Sequence, residues 1–207
     1  MTDALSAVHS ATVHKRRVRR LATLLSALLP ADALVLDVGC GDGQLGALLL
    51  QMRPDLKLEG LDVLVRPHTH IPVREFDGHT LPMDDDSVDV VLLIDVLHHC
   101  EVQVELLREC GRVARHSVTI KDHLVDGFLS WPLLRFMDWV GNAGHGVALP
   151  YNYWRKHQWQ QALADLGWSV DSWQQDLAIY PKAADWIFGR NLHFLARCRP
   201  ASVQAAP

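Results

Sequence analysis

Short apolar runs rich in β-branched residues alternate along the chain with stretches in which apolar residues recur every three or four positions. That alternation predicts a parallel sheet covered by helices on both faces. Leu34-Val-Leu-Asp37 reads as the first strand, Gln44 to Arg53 as a helix stopped by Pro54, and Leu56 to Asp62 as the second strand. Val73 to Phe76 is a weak third strand. Val88-Asp-Val-Val-Leu-Leu-Ile94 is almost uniformly apolar, as a central strand buried on both faces should be. Val104 to Val113 follows as a helix and Ser117 to Lys121 as a fifth strand. From about Leu124 to Trp154 the rhythm breaks, and this Trp-, Phe-, Leu- and Gly-rich region reads as an inserted lid. His157 to Leu166 is again helical, ending at Gly167 where a helix C-cap favours glycine. Strands at Trp168 to Gln174 and Leu192 to Cys198 would close the sheet.

The expected organisation is one α/β domain: an N-terminal helical segment (1–30), a core (31–123), a lid (124–156), a C-terminal helix and strands (157–200) and a tail (201–207). A chain of 207 residues suits a single core. With 49% hydrophobic and 21% charged residues and a net charge of -4, the composition disfavours a general nucleic-acid binder and points to a small-molecule partner. Cys40, Cys100, Cys110 and Cys198 form no Cys-x-x-Cys pair, so neither a zinc site nor a disulfide framework is expected, and a reducing cytoplasm suits them. Lys15-Arg16-Arg17-Val-Arg19-Arg20 before the apolar run Leu21 to Leu29 imitates a secretory signal. Cleavage after Ala33 would start the mature chain inside the first strand, and the run is too short to span a bilayer. An amphipathic helix with a basic flank is expected instead, with no transmembrane segment and room for peripheral membrane contact.

Chemistry enters with Val35-Leu-Asp37-Val-Gly39-Cys-Gly41-Asp-Gly43-Gln-Leu-Gly46, which sets four glycines between a strand and a helix. Glycines allow a sharp turn and close approach to a ligand, and the helix N-terminus offers unpaired N–H groups. Gly41-x-Gly43-x-x-Gly46 also satisfies the dinucleotide fingerprint, and Asp62, about twenty residues on, is placed to accept ribose hydroxyls. The pattern alone leaves two cofactors open. Asp37 is awkward beside a pyrophosphate and suits the ammonium of an amino-acid moiety.

These residues resemble the class I S-adenosylmethionine-dependent methyltransferases, with a domain like the type 11 and type 25 members. The similarity continues through Phe76-Asp77-Gly78, Leu81-Pro82, Asp85-Asp86-Ser87-Val88-Asp89 and Asp95-Val-Leu-His98-His99, and covers residues 30 to 125. It implies a Rossmann-like seven-stranded sheet and S-adenosylmethionine as cofactor. It also implies cofactor contacts at Asp37, Gly39, Gly41, Gly43, Asp62, Val63, Asp77, Gly78 and Asp95. In that family the acidic residue matching Asp77 meets the adenine amino group, and the carboxylate matching Asp37 lies near the methionine part.

Methyl transfer needs an aligned nucleophile and a place for its proton, so few residues carry it. In an open α/β sheet they should sit at the carboxyl ends of the strands. His123, after the fifth strand, and His145, in the lid, are the candidate bases, because histidine titrates near neutrality. His99, Asn142, Tyr151 and Asn152 are candidate acceptor contacts, and no metal is expected although Asp122, His123 and His145 are plausible ligands. An aromatic or hydrophobic acceptor methylated on a hydroxyl fits best. A nicotinamide-dependent oxidoreductase and a non-catalytic methyltransferase-like binding subunit are the alternatives.

Overall fold

The computed structural model describes residues 15–142, 150–189 and 191–201. Helix α1 is described over residues 15–26. It is followed by β1 (Leu34–Val38), α2 (Gln44–Met52), β2 (Lys57–Asp62), β3 (Val73–Glu75), β4 (Val88–Ile94), α3 (Gln103–Val113) and β5 (Ala114–His123). Helices α4 (Ser130–Asn142) and α5 (Lys156–Asp165), β6 (Ser169–Gln174), α6 (Lys182–Phe188) and β7 (His193–Arg199) complete the order. The strands form one sheet in the order β3-β2-β1-β4-β5-β7-β6, parallel except that β7 runs antiparallel to both β5 and β6. This is the α/β sheet expected from the alternation.

The central strand shows why its residues are nearly all apolar. Val91 and Leu93 pack into one core with Leu106, Leu107 and Cys110 of α3 and Trp159 of α5. Val90 and Leu92, one position out of phase, pack into the other core with Leu21, Ala22 and Leu25 of α1 and Leu49 of α2. Period-two alternation thus feeds two helical layers, and both faces of the sheet are dry at β4.

Three features differ from expectation. Strand β5 begins at Ala114 and runs to His123, because its residues from Val118 to His123 pair with β7 and extend the ladder past Lys121. The lid is partly helical, α4 lying across its middle. Helix α6 is an addition to the expected order: its short pattern, Lys-Ala-Ala-Asp-Trp-Ile-Phe, lies between segments read as strands. Helix α1 runs from the carboxyl edge of the sheet, where Arg17 reaches Asp95, to the opposite edge, where Arg53 donates to the Ser26, Leu29 and Pro30 carbonyls at its end.

Candidate active site

The glycine turn leaves β1 with positive φ at Gly39, Gly41 and Gly43. At Gly43 (φ 76°) a Cβ would also come within 2.4 Å of the Ile71 side chain, so only glycine fits. Gly41 is different: a Cβ there would meet nothing within 4 Å, so the backbone borders open space. Asp62 at the end of β2 holds this turn, accepting from the Gly41 N–H at 2.7 Å and, through its other oxygen, from the Leu64 N–H at 2.9 Å. Exposed Val63 lies against Gly78, where a Cβ would stand 3.1 Å from Val63 Cγ1. Asp77, on the surface, accepts from the His79 and Thr80 N–H groups at 2.8 and 2.7 Å, and those bonds lower its pKa.

Beside the turn is a cavity of about 150 Å³ lined by Arg17, Asp37, Gly39, Cys40 and Asp95 among others. Burial, with Asp62 nearby, pushes the Asp37 carboxyl up to about 7. Across the cavity Arg17 and Lys121 both pair with Asp95. Burial opposes the charge on Asp95, but these two cations outweigh it and hold the carboxyl well below its ordinary range. Two cations share one carboxylate here, and Arg17 Nε is buried with no hydrogen-bond partner among the described residues. An amino-acid zwitterion fits this arrangement, its ammonium toward Asp37 and its carboxylate toward Arg17. Val63 and Gly78 offer an apolar edge for an adenine, and Asp62 a carboxylate for a ribose.

The carboxyl ends of β4, β5 and β7 meet in a second, wholly buried cluster. His98 Nδ1 donates to Asp122 at 2.7 Å, and its Nε2 lies 3.2 Å from Asp138 of α4. Burial disfavours the imidazolium, yet the two carboxylates prevail and raise His98 to about 10. Asp138 also accepts from the Tyr153 hydroxyl at 2.8 Å, so one cation joins the sheet to the lid. His123 Nδ1 lies 3.2 Å from Asp122 Oδ1. Burial, then the neighbouring His98 and Lys121 cations, push His123 down to about 4, so it is neutral near pH 7. His193 Nδ1 lies 3.2 Å from the Lys121 ammonium, and its Nε2 lies 3.2 Å from the Phe188 carbonyl, a pattern that requires the neutral Nε2–H tautomer. Three groupings, Asp95-His123-His193, His98-Asp122-His123 and His98-His99-Asp138, have ligand spacing for an ion. Hydrogen bonds and ion pairs between their own side chains already hold the members of these groupings together.

Of the expected cofactor residues, Asp37, Gly39 and Asp95 line the cavity; Gly41 and Gly43 lie in the adjoining turn with Asp62 bonded to it, Val63 meets Gly78, and Asp77 lies on the surface. His123 stands with Asp122 at the end of β5, and the His99 ring lies tilted by 43° against His98, 4.0 Å between ring centroids. Tyr151 adopts φ 54° beneath the Arg135 guanidinium, 4.8 Å from its ring centroid. Asn152 departs from its expected role. Its amide donates to the Cys100 carbonyl at 3.1 Å, and its own carbonyl accepts from Gln103 at 2.7 Å, so it clasps the lid to the loop after β4 rather than facing an acceptor. Asp95 differs too: it is an ion-pair hub on the cavity wall. Asn142 ends α4 with its side chain outside the described residues, as is all of His145. Sequence reasoning missed Arg17 and His193. The register of His123 opposite His193 in the β5–β7 pair was their available signal, together with the basic run on α1.

Residues 36–120, from β1 through most of β5, match the family model of a methyltransferase domain, and the sheet and glycine turn are similar to those of S-adenosylmethionine-dependent methyltransferases. A bifunctional methionine biosynthesis protein of Rhodopirellula baltica is 36% identical over 105 residues, 44% of this chain and 17% of that protein. A probable S-adenosylmethionine-dependent methyltransferase of Mycobacterium tuberculosis is 32% identical over 88 residues, 40% of this chain and 32% of that protein. The chain thus spans about a third or less of the curated relatives it matches. Among solved structures, the methyltransferase in complex with the Trm112 methyltransferase activator of Haloferax volcanii superposes with TM-score 0.68 at 17% identity, covering 96% of each chain. That likeness concerns the fold.

Proposed function

We propose that this chain transfers a methyl group to a hydroxyl of an aromatic or hydrophobic small molecule, with His123 as the general base. When bound, S-adenosylmethionine would supply an electrophilic methyl to the acceptor oxygen in line, the sulfur leaving as the thioether of S-adenosylhomocysteine. Asp37 and Arg17 would hold its amino-acid end, Asp62 its ribose, and Val63, Asp77 and Gly78 its adenine. Gly39, Gly41 and Gly43 keep the backbone clear of it. The observation that carries the reading is the buried Asp122–His123 pair, whose His123 Nδ1 lies 3.8 Å from Asp95 on the wall of the Asp37–Arg17 cavity.

Asp122 accepts the Nδ1 proton of His123 and leaves the Nε2 lone pair as the acceptor of the hydroxyl proton. Because His123 stays neutral down to about pH 4, that lone pair is available throughout the physiological range. Its low basicity makes proton removal concerted with methyl transfer rather than prior to it. Asp122 and His98 are positioning residues, Tyr151 and His99 line the acceptor side, and the lid closes over them. His145 remains a second candidate base. The single-domain organisation, with 124–156 as lid and 31–123 as cofactor core, belongs to the same reading.

The test is a transfer assay with methyl-labelled S-adenosylmethionine against phenols, quinols and long-chain alcohols, run on the wild type and on His123→Gln. The expected outcome is labelled product from an aromatic or lipophilic hydroxyl and a fall in kcat of roughly a hundredfold in the variant, with cofactor affinity unchanged. Unaltered kcat in His123→Gln would remove the base, and product only from amines would remove the hydroxyl.

A further inference from the structure

Helix α4 is apolar on both sides. Its inner side is fixed: Leu134 packs with Tyr153 and Leu192, and Asp138 is held by His98 and Tyr153. The helix cannot roll to hide its outer side without pulling Asp138 from a buried cation. That outer side carries Trp131, Phe136, Trp139 and Val140, with Trp139 59% exposed, and the turn leading into the helix adds Phe128, 98% exposed, and Leu129. Its one charged residue, Arg135, lays its guanidinium over Trp131 at 5.3 Å. Helix α6, which leads into β7 at the same edge of the sheet, adds Trp186, 70% exposed, and Ile187. The N-terminal end of α1 also lies at that edge, since Arg17 reaches Asp95 there, and the adjacent Lys15 and Arg16 are exposed.

We infer that this edge is a membrane-docking surface: α4 and α6 insert their aromatic side chains into the interface of an anionic bilayer, and the basic end of α1 meets its headgroups. An exposed apolar patch of this size marks an interaction site, and tryptophan and phenylalanine with a flanking arginine is the composition of a helix lying in a lipid interface. Charge complementarity selects lipid as the occupant. Although the chain as a whole carries -4, five of its 20 Lys and Arg residues fall within residues 15–20, beside the apolar edge. The inference rests on the hydrophobic-acceptor reading and deepens it, because a lid docked in lipid opens the site toward a lipid-soluble acceptor.

The experiment is vesicle flotation with the full chain, comparing phosphatidylcholine vesicles with vesicles containing one third phosphatidylglycerol. Phe136→Ser/Trp139→Ser and Lys15→Glu/Arg16→Glu are assayed in parallel, with thermal melts and S-adenosylmethionine titration as controls. The expected result is at least tenfold preference for the anionic vesicles, lost in the aromatic variant and reduced in the charge variant while both melt as wild type. Absence of vesicle binding by the wild type overturns the inference. So does a wild-type dimer in light scattering that the aromatic variant dissociates, which would make the face a contact between copies of this chain. Cofactor titration, made without vesicles, reports separately on the catalytic reading.

Discussion

The β1–β3 side of the sheet and the β4–β5–β7 side build their halves of the site by different means. On the first, backbone does the work: glycines at positive φ and one carboxylate, Asp62, that closes the turn over 21 residues of sequence. On the second, buried charged side chains do it. Arg17 meets Asp95 across 78 residues, Lys121 meets His193 across 72, and His98 meets Asp138 across 40. The glycine turn is held by backbone geometry, whereas the β4–β5–β7 side depends on ionised groups that stabilise the fold only while each keeps its partner.

That contrast predicts where substitutions hurt stability and where they hurt binding. The largest effect on folding should come from Asp122→Asn, which strips the buried His98 cation of its nearer partner and should cost about 3 to 5 kcal/mol in a denaturant titration. The pH dependence of stability follows from the same cluster. His98 is raised from 6.5 to about 10, so its contribution is complete below pH 6.5 and is lost as pH rises toward 10. His123 is lowered from 6.5 to about 4, so the unfolded chain takes up a proton that the folded chain refuses, and stability falls as pH drops from 6.5 toward 4. Asp37, raised from 3.8 to about 7, opposes the acid limb, so each limb is read as a difference from wild type: in thermal melts across pH His98→Gln should abolish the alkaline one and His123→Gln the acid one. The smallest effect should appear on the cofactor side. Arg17→Met should weaken S-adenosylmethionine by about tenfold, one lost charge-assisted contact, and leave 5′-methylthioadenosine, which has no carboxylate, unchanged. Equal loss for both ligands would show that Arg17 shapes the cavity instead of reading the carboxylate.

The same contrast explains what could be read from sequence. The strands and the glycine turn were legible because their determinants are local: β4 announces itself by seven residues of nearly unbroken apolar character, and Asp37 to Gly46 specify strand, turn and helix within ten positions. His98, Lys121, Asp122 and His123 stood out as residue types at strand ends, but the pairings that set their charge did not. Nothing in a single sequence says that Asp138 of the lid turns inward while Trp139 turns outward, or that Arg17 faces the cavity while Arg16 faces solvent. Those follow from how α4 and α1 pack. The bonds of Asn152 to the loop after β4 were not legible, because a polar residue among aromatics suits a pocket wall and a loop clasp equally. Helix α6 escaped because seven residues are too few to display a helical period beside two strands.

The central claim is that the Asp37–Arg17 cavity, the glycine turn and Asp62 form one cofactor site. Calorimetric titration of S-adenosylmethionine into the wild type and Asp62→Ala tests it most directly. The account predicts micromolar binding at one site per chain and a loss on the order of a hundredfold in the variant, as expected when a carboxylate's charge-assisted hydrogen bonds are removed. No heat with the wild type, or equal affinity in Asp62→Ala, would contradict it.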